Sequence, residues 1–171
     1  MKFDLNNPRT LSMTAIMTAL TLALTRSAVP NGVGYNHLGD IAVFFTAFAF
    51  GPWAGLVAGG LGTALADILS GAYAGYAPLS FMVHGLEGFV AGYIYLQRRD
   101  IIGLVLGLVA GGVIVVGGYF GGEYLNEGWG GPVQALGEWP GNIIQVAIGV
   151  VGAVVFYAVQ RAYPRLRQMG A

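Results

Sequence analysis

The chain has 171 residues, of which 56% are hydrophobic and only 9% charged, with eight basic and eight acidic groups cancelling to a formal charge of +0. A soluble domain carries about 25% charge, so this supply cannot cover a water-facing surface, and a mean hydropathy of +0.66 points to a lipid bilayer as the solvent. The neutral balance gives no attraction for nucleic acid, and the absence of cysteine excludes disulfides and thiolate metal sites.

The first residues, up to Pro8, are polar, and the Thr-dotted stretch after them has no obvious cleavage site, so it is read as a mature first helix and not a cleaved signal. Six hydrophobic segments are expected, at residues 10–29, 38–51, 53–70, 78–97, 101–121 and 140–163 of one integral membrane domain spanning 1–171. Pro30-Asn31-Gly32 turns the chain after the first, Gly51-Pro52 stops the second, and Ser70-Gly71 ends the third. A tyrosine-bearing linker leads to Pro78, a good first-turn residue for the fourth. A polar, Gly-rich loop is expected over 121–139, before Pro140 opens the sixth, which Pro164 ends. Continuous apolar runs favour helices over a β-barrel, because lipid leaves backbone groups no other partner. The second segment is short, and both a full span and a re-entrant hairpin with the third fit it. The 29 glycines suit helices that approach closely in a membrane bundle.

With both ends in the cytoplasm, Lys2, Arg9, Arg98, Arg99, Arg161, Arg165 and Arg167 fall inside and only Arg26 falls outside. That asymmetry requires an even number of crossings, and six fits.

Ionisable groups inside a membrane are costly, so each carries a functional hypothesis. Asp67 lies about 21 Å along its helix from Trp53, and His84 about 9 Å below Pro78, with Glu87 one turn deeper. Asp40 begins the second segment, and Asn142 and Gln145 sit in the first turns of the sixth. All fall in the outer half. His84 and Glu87 share one helix face, Thr63, Asp67 and Ser70 a second, and Asn142 and Gln145 a third. Such stripes predict a cavity open to the outside. Tyr35, Tyr73, Tyr76, Tyr119, Tyr124, Trp129 and Trp139 surround it in sequence, and aromatic faces with a few polar groups suit a flat, water-soluble heterocycle. Glu123, Glu127 and Glu138 are placed in the outer loop. The acidic bias favours a ligand with a protonated or hydrogen-donating group.

Structural readings stand beside these. The aromatics fit an interfacial belt. Asp40 could pair with Arg26 or cap its helix, Asp67 could pair with His84, and Glu87 could serve packing alone. Ala15, Ala19 and Ala23 recur every four residues and form a small-residue face for close helix packing, inside this chain or against a partner. No phosphate-binding loop, nucleophile motif or metal-binding His pair appears, so neither an enzyme nor a cofactor or metal site is expected. An ion-coupled carrier using Asp67, His84 and Glu87 as a proton relay and a non-transporting membrane subunit are the competing functions.

The runs His37-Leu38-Gly39-Asp40-Ile41, Phe50-Gly51-Pro52, Ala64-Leu65-Ala66-Asp67-Ile68-Leu69-Ser70-Gly71 and Gly85-Leu86-Glu87-Gly88 resemble the substrate-binding S component of energy-coupling factor (ECF) transporters, nearest to the riboflavin-type branch. The resemblance is best over residues 10–95. It implies an all-α bundle of six transmembrane helices with cytoplasmic termini in a prokaryotic cell membrane, holding a flavin, pyrimidine or vitamin B6-like compound near the outer face. It further implies that Ala15, Ala19 and Ala23 dock on a transmembrane coupling subunit, with two cytoplasmic ATPases completing an importer in which the S component topples inward. The loop from Pro30 to His37 would act as a lid, with Gly32 and Gly34 giving it freedom. The residues expected to touch or orient the ligand are Asp67, His84, Asn142 and Gln145, with Asp40, Glu87, Tyr35, Asn36 and Tyr76 around them.

Overall fold

A computed structural model describes residues 3–4, 6–30 and 34–163. The segment ends expected at Asn31, Gly32 and Pro164 lie outside these residues, as do Lys2, Arg165 and Arg167. The chain is an all-α membrane protein of six helices: α1 (Pro8–Arg26), α2 (Gly39–Phe50), α3 (Pro52–Ser70), α4 (Ala77–Gln97), α5 (Ile101–Leu125) and α6 (Gly131–Ala162). Between α1 and α2 a two-stranded hairpin pairs β1 (Val29–Pro30) antiparallel with β2 (Tyr35–Asn36). The end of the bundle that carries it is called the hairpin end.

Four helices, α3 to α6, are long and apolar enough to cross a membrane. α1 has 19 residues but is rich in threonine. Its Thr10, Thr14, Thr21 and Thr25 are buried, and the Thr21 hydroxyl donates to the Met17 carbonyl one turn back, which lets a polar side chain face the bundle. α2 has 12 residues and rises about 18 Å, less than the ~30 Å of a hydrocarbon core. It is mostly buried and packs on α1, α3, α4 and α6. Gly51, at φ 92°, reverses the chain so that α3 returns beside α2, with Gly55 next to Ala47 and Gly59 next to Val43.

Two boundaries differ from expectation. The Gly-rich stretch after residue 121 is not an open loop: α5 continues to Leu125, a short 3-10 turn follows at Glu127–Trp129, and α6 starts at Gly131. Pro140 therefore lies inside α6 instead of opening it. Burial of Gly131 and Ala135 against the bundle holds these first turns helical, and the proline forfeits only one backbone donor. α1 stops at Arg26, shorter than expected, because residues 29–30 join the hairpin.

The core is layered along the bundle axis. Far from the hairpin, Phe44, Phe48, Tyr95, Leu104, Ala153 and Phe156 form an aromatic-rich apolar cluster. Nearer the hairpin the buried side chains are polar: His37, Asp40, Asp67, Ser80, His84, Glu87, Asn142 and Gln145. Outward faces carry Val105, Leu106, Val109, Val113, Ile143, Ile144, Val151 and Val154, an apolar surface suited to lipid.

α3 and α4 touch backbone to backbone. A methyl group placed on Gly55 would come within 2.7 Å of the Gly88 carbonyl oxygen, and one on Gly88 would meet Gly55 in return. Gly88→Leu is therefore expected to destabilise the bundle by about 1–3 kcal/mol or more, seen as a lower midpoint of thermal unfolding in detergent. Gly117→Ala, where nothing lies within 4 Å, should leave that midpoint unchanged or slightly raised; equal losses at both positions would contradict this packing.

Candidate functional site

At the hairpin end a narrow cleft of about 30 Å³ opens between the helices. β2 and the residue after it supply Tyr35 and His37, α3 supplies Asp67, and the short turn before α4 supplies Tyr73 and Tyr76. Ser80 comes from α4, Tyr119 from α5, and Glu138, Asn142 and Gln145 from α6.

Asp67 organises the wall. One carboxylate oxygen accepts a hydrogen bond from the Tyr35 hydroxyl, and the other accepts from Ser80 Oγ at 2.5 Å. With its single proton used there, Ser80 Oγ accepts from the Tyr119 hydroxyl at 2.8 Å. Burial, then the nearby Asp67 charge, raises the Tyr35 pKa, so its phenol stays a donor. The Tyr35 and Tyr73 rings lie 4.5 Å apart, and Tyr73 meets Tyr76 at 6.5 Å. Tyr76 donates to the Trp129 carbonyl at 2.7 Å, and Trp129 Nε1 returns a bond to the Gly75 carbonyl at 2.9 Å. The turns that precede α4 and α6 are thus tied together.

Below the cleft lies a second polar layer. Gln145 bridges the two: its Oε1 accepts from the His37 backbone N–H at 3.2 Å, and its Nε2 donates to Asp40 at 3.2 and 3.3 Å. His84 Nδ1 lies 2.8 Å from Glu87 Oε2 and 3.4 Å from Asp40 Oδ1, so the ring proton belongs on Nδ1. His37 Nδ1 accepts from the Gly39 N–H at 3.1 Å. Burial, then the neighbouring His84, lowers the His37 pKa and keeps this ring neutral. His37, Asp40 and His84 bring ligand-type atoms within 4.8 Å of one another, a spacing a metal could use. His37 Nδ1, His84 Nδ1 and Asp40 are engaged by Gly39, Glu87 and Gln145, which makes the trio a hydrogen-bonded layer, while His84 Nε2 has no hydrogen-bond partner among the described residues.

The residues expected from sequence therefore divide. Asp67, Asn142, Gln145, Tyr35 and Tyr76 line the cleft. Asp40, His84 and Glu87 are fully buried beneath it and do not line it. Asn36 turns away, donating to the Gly141 carbonyl at 2.9 Å and lining an apolar groove between the hairpin and α6. Asp40 is too deeply buried to meet the exposed Arg26, and no side-chain capping bond forms at the start of α2. His84 is hydrogen-bonded to Glu87 and not to Asp67. Glu138 and Glu123 are helical, on α6 and at the end of α5, and Glu138 lines the cleft. His37, Ser80 and Glu138 were not among the residues expected from sequence to touch the ligand. A hydroxyl one turn before His84 on the same face was the available signal for Ser80. Ala15, Ala19 and Ala23 are all exposed on α1, so this small-residue face is not used in packing within the chain.

Removing the His84 ring leaves Glu87 Oε2 buried without its donor. His84→Ala is expected to cost about 3 kcal/mol or more, a drop of several degrees in detergent unfolding with no ligand added. Glu87→Gln keeps an acceptor for His84 Nδ1 and should cost less; the reverse order would refute the arrangement.

Comparison with known proteins agrees with this fold. The family model "ECF-type riboflavin transporter, S component" matches residues 5–162. An uncharacterised protein of Pyrococcus woesei is 34% identical over 132 residues, covering 77% of this chain and 86% of its own. The thiamine precursor transporter HmpT of Lactococcus lactis subsp. cremoris is 34% identical over 156 residues, covering 89% of this chain and 87% of its own. The solved structure of the S component of a bacterial ECF transporter superposes with a TM-score of 0.69 at 22% identity, over 91% of this chain and 95% of that one, which speaks to the fold alone. Six helices of that architecture, a family match over nearly the whole length and two relatives of one third identity place this chain in the family of ECF-type riboflavin transporter S components.

Proposed function

We propose that this protein is the substrate-binding subunit of an ATP-driven ECF importer and captures a water-soluble vitamin or precursor, of the flavin, pyrimidine or vitamin B6-like kind. The observation that carries the reading is the cleft at the hairpin end, with tyrosine faces beside Asp67, Asn142 and Gln145. An aromatic wall with a few fixed polar groups is the ordinary composition of a small-molecule site. The relative named a thiamine precursor transporter and the riboflavin-type family both concern heterocyclic vitamins.

Arg9, Arg98, Arg99 and Arg161 lie at or beyond the helix ends far from the hairpin, and Arg26 lies at the hairpin end. The positive-inside rule then turns the cleft to the outside of a prokaryotic plasma membrane, with both termini in the cytoplasm. The lower layer of Asp40, His84 and Glu87 holds the cleft's floor in place. The hairpin strand that carries Tyr35 forms one side of the cleft's mouth. α1 packs mainly on α2 and α3, and the exposed Ala15, Ala19 and Ala23 present a flat face to lipid or partner. That face docks the transmembrane coupling subunit, which two cytoplasmic ATPases drive.

Two substitutions separate capture from coupling. Asp67→Asn should weaken ligand binding by about tenfold or more, because an amide cannot accept from both Tyr35 and Ser80. Ala19→Trp should leave binding intact and abolish ATP-dependent uptake in vesicles holding the coupling subunit and ATPases. Uptake that needs no ATPases and follows a proton gradient would overturn the assignment.

A further inference from the structure

A second cavity, of about 340 Å³ against about 30 Å³ for the cleft, lies between the hairpin and α6. Its origin is the shortness of α2. α1 and α6 both pack on α2 and scarcely on each other. Because α2 begins only at Gly39, nothing thicker than the hairpin separates the end of α1 from α6 beyond that point. The resulting groove is floored by Leu38 and walled by Val29 and Pro30 of β1 and by Ile144 and Ile148 of α6.

These walls suit hydrocarbon. No Asp, Glu, Lys or Arg is among the groove's described lining residues. Ser27 Oγ donates to the Ala23 carbonyl at 3.3 Å and Asn36 Nδ2 to the Gly141 carbonyl at 2.9 Å, so both polar side chains at the rim spend donors within the chain. Water in the groove would face apolar walls with too few partners.

Both rims run into the lipid-facing surface. Ser27 lies one turn beyond Ala23 on the exposed face of α1, and Ile144 is 57% exposed beside Ile143 on α6. The depth agrees. Exposed Trp139 near the hairpin end and exposed Tyr163 at the far end are about 36 Å apart by helical rise, the span of a hydrocarbon core with part of its interfaces. Ile144 and Ile148 lie about 7.5 and 13.5 Å inward from Trp139, at the level of acyl chains. A vacant groove there would leave its walls without dispersion partners, and the hydrocarbon beside it is what can enter.

We infer that the groove between the hairpin and α6 holds one acyl chain of a phospholipid from the leaflet at the hairpin end, packed against the strand that bears Tyr35. Occupancy of this groove is independent of what the cleft binds.

The test is photolabelling of the purified full chain in bilayers that contain a trace of phosphatidylcholine with a diazirine at mid-chain, the labelled residues being read by peptide mass spectrometry. Leu86 on α4 is the control for Leu38 and Ile148. It is 47% exposed and sits at their depth, since His84 and Gln145 both approach Asp40. Leu38 is less exposed than Leu86, so unselective contact with lipid would label Leu86 more. A held chain should instead label Leu38 and Ile148 about threefold or more above Leu86, a ratio that a handful of extra dispersion contacts supplies. Ile148→Trp fills the groove and should bring Leu38 down to the Leu86 level or below. Val113→Trp, on the exposed face of α5, should leave the ratio unchanged. The wild-type ratio decides the matter even where a tryptophan variant fails to fold. Equal labelling, or more at Leu86, would overturn the site. So would a Leu38 excess that survives Ile148→Trp in folded protein, because the chain would then be held elsewhere.

Discussion

A carboxylate enclosed by membrane helices has no water to turn to, so its donors must come from other parts of the chain. In this protein that requirement fixes the end of the bundle where the cleft lies. Asp67 on α3 takes one bond from the hairpin through Tyr35 and one from α4 through Ser80, and Ser80 brings in Tyr119 of α5. Asp40 on α2 takes the amide of Gln145 on α6, while His84 serves Glu87 and approaches Asp40. The two carboxylates thereby join the hairpin and every helix from α2 to α6. Because each partner arrives from a different element, losing one shifts several walls of the cleft together.

Glycine makes such short polar links compatible with helical geometry. A side chain as short as serine or aspartate reaches a neighbouring helix only when the backbones are close. The contact of Gly55 with Gly88, and of Gly59 with the carbonyl of His84, brings α3 and α4 to that distance, and Asp67 and Ser80 then meet at 2.5 Å. On the other side, Gly149 lies against Asp40 and Phe44, and Gly152 against the backbone of Ile41, bringing α6 onto α2. The high glycine content belongs to the site as much as to the fold. The apolar cluster of Phe44, Phe48, Tyr95 and Phe156 lies at the far end, where the Tyr95 hydroxyl accepts from Gln160 Nε2 at 2.9 Å.

The helices were legible because most are apolar runs bounded by Gly, Pro or charged residues, and the polar stripes were legible because costly residues inside such runs are few. Helical spacing correctly paired His84 with Glu87, since that contact lies within one helix. It could not choose between Asp40 and Asp67 as the neighbour of His84 across the bundle, because that depends on the reversal at Gly51 and the depth at which α2 sits. Nor did spacing separate residues that line the cleft from those below it. Asp40 and Gln145 look alike in sequence, yet one is enclosed and the other bridges both layers. Glu123 and Glu138 were misplaced for a local reason: glycine-rich, proline-containing sequence normally signals a loop, and here packing of Gly131 and Ala135 overrides that signal. The exposure of Ala15, Ala19 and Ala23 likewise emerges only once α1 is seen at the bundle's edge, packed mainly against α2 and α3.

The central claim is that this cleft holds a small molecule. Mass spectrometry of compounds released by denaturing the purified, washed protein addresses it most directly. The account predicts one dominant aromatic nitrogen heterocycle, recovered in an amount approaching one per chain. Recovery of lipid and detergent alone, from cells supplied with a full range of vitamins and their precursors, would contradict it.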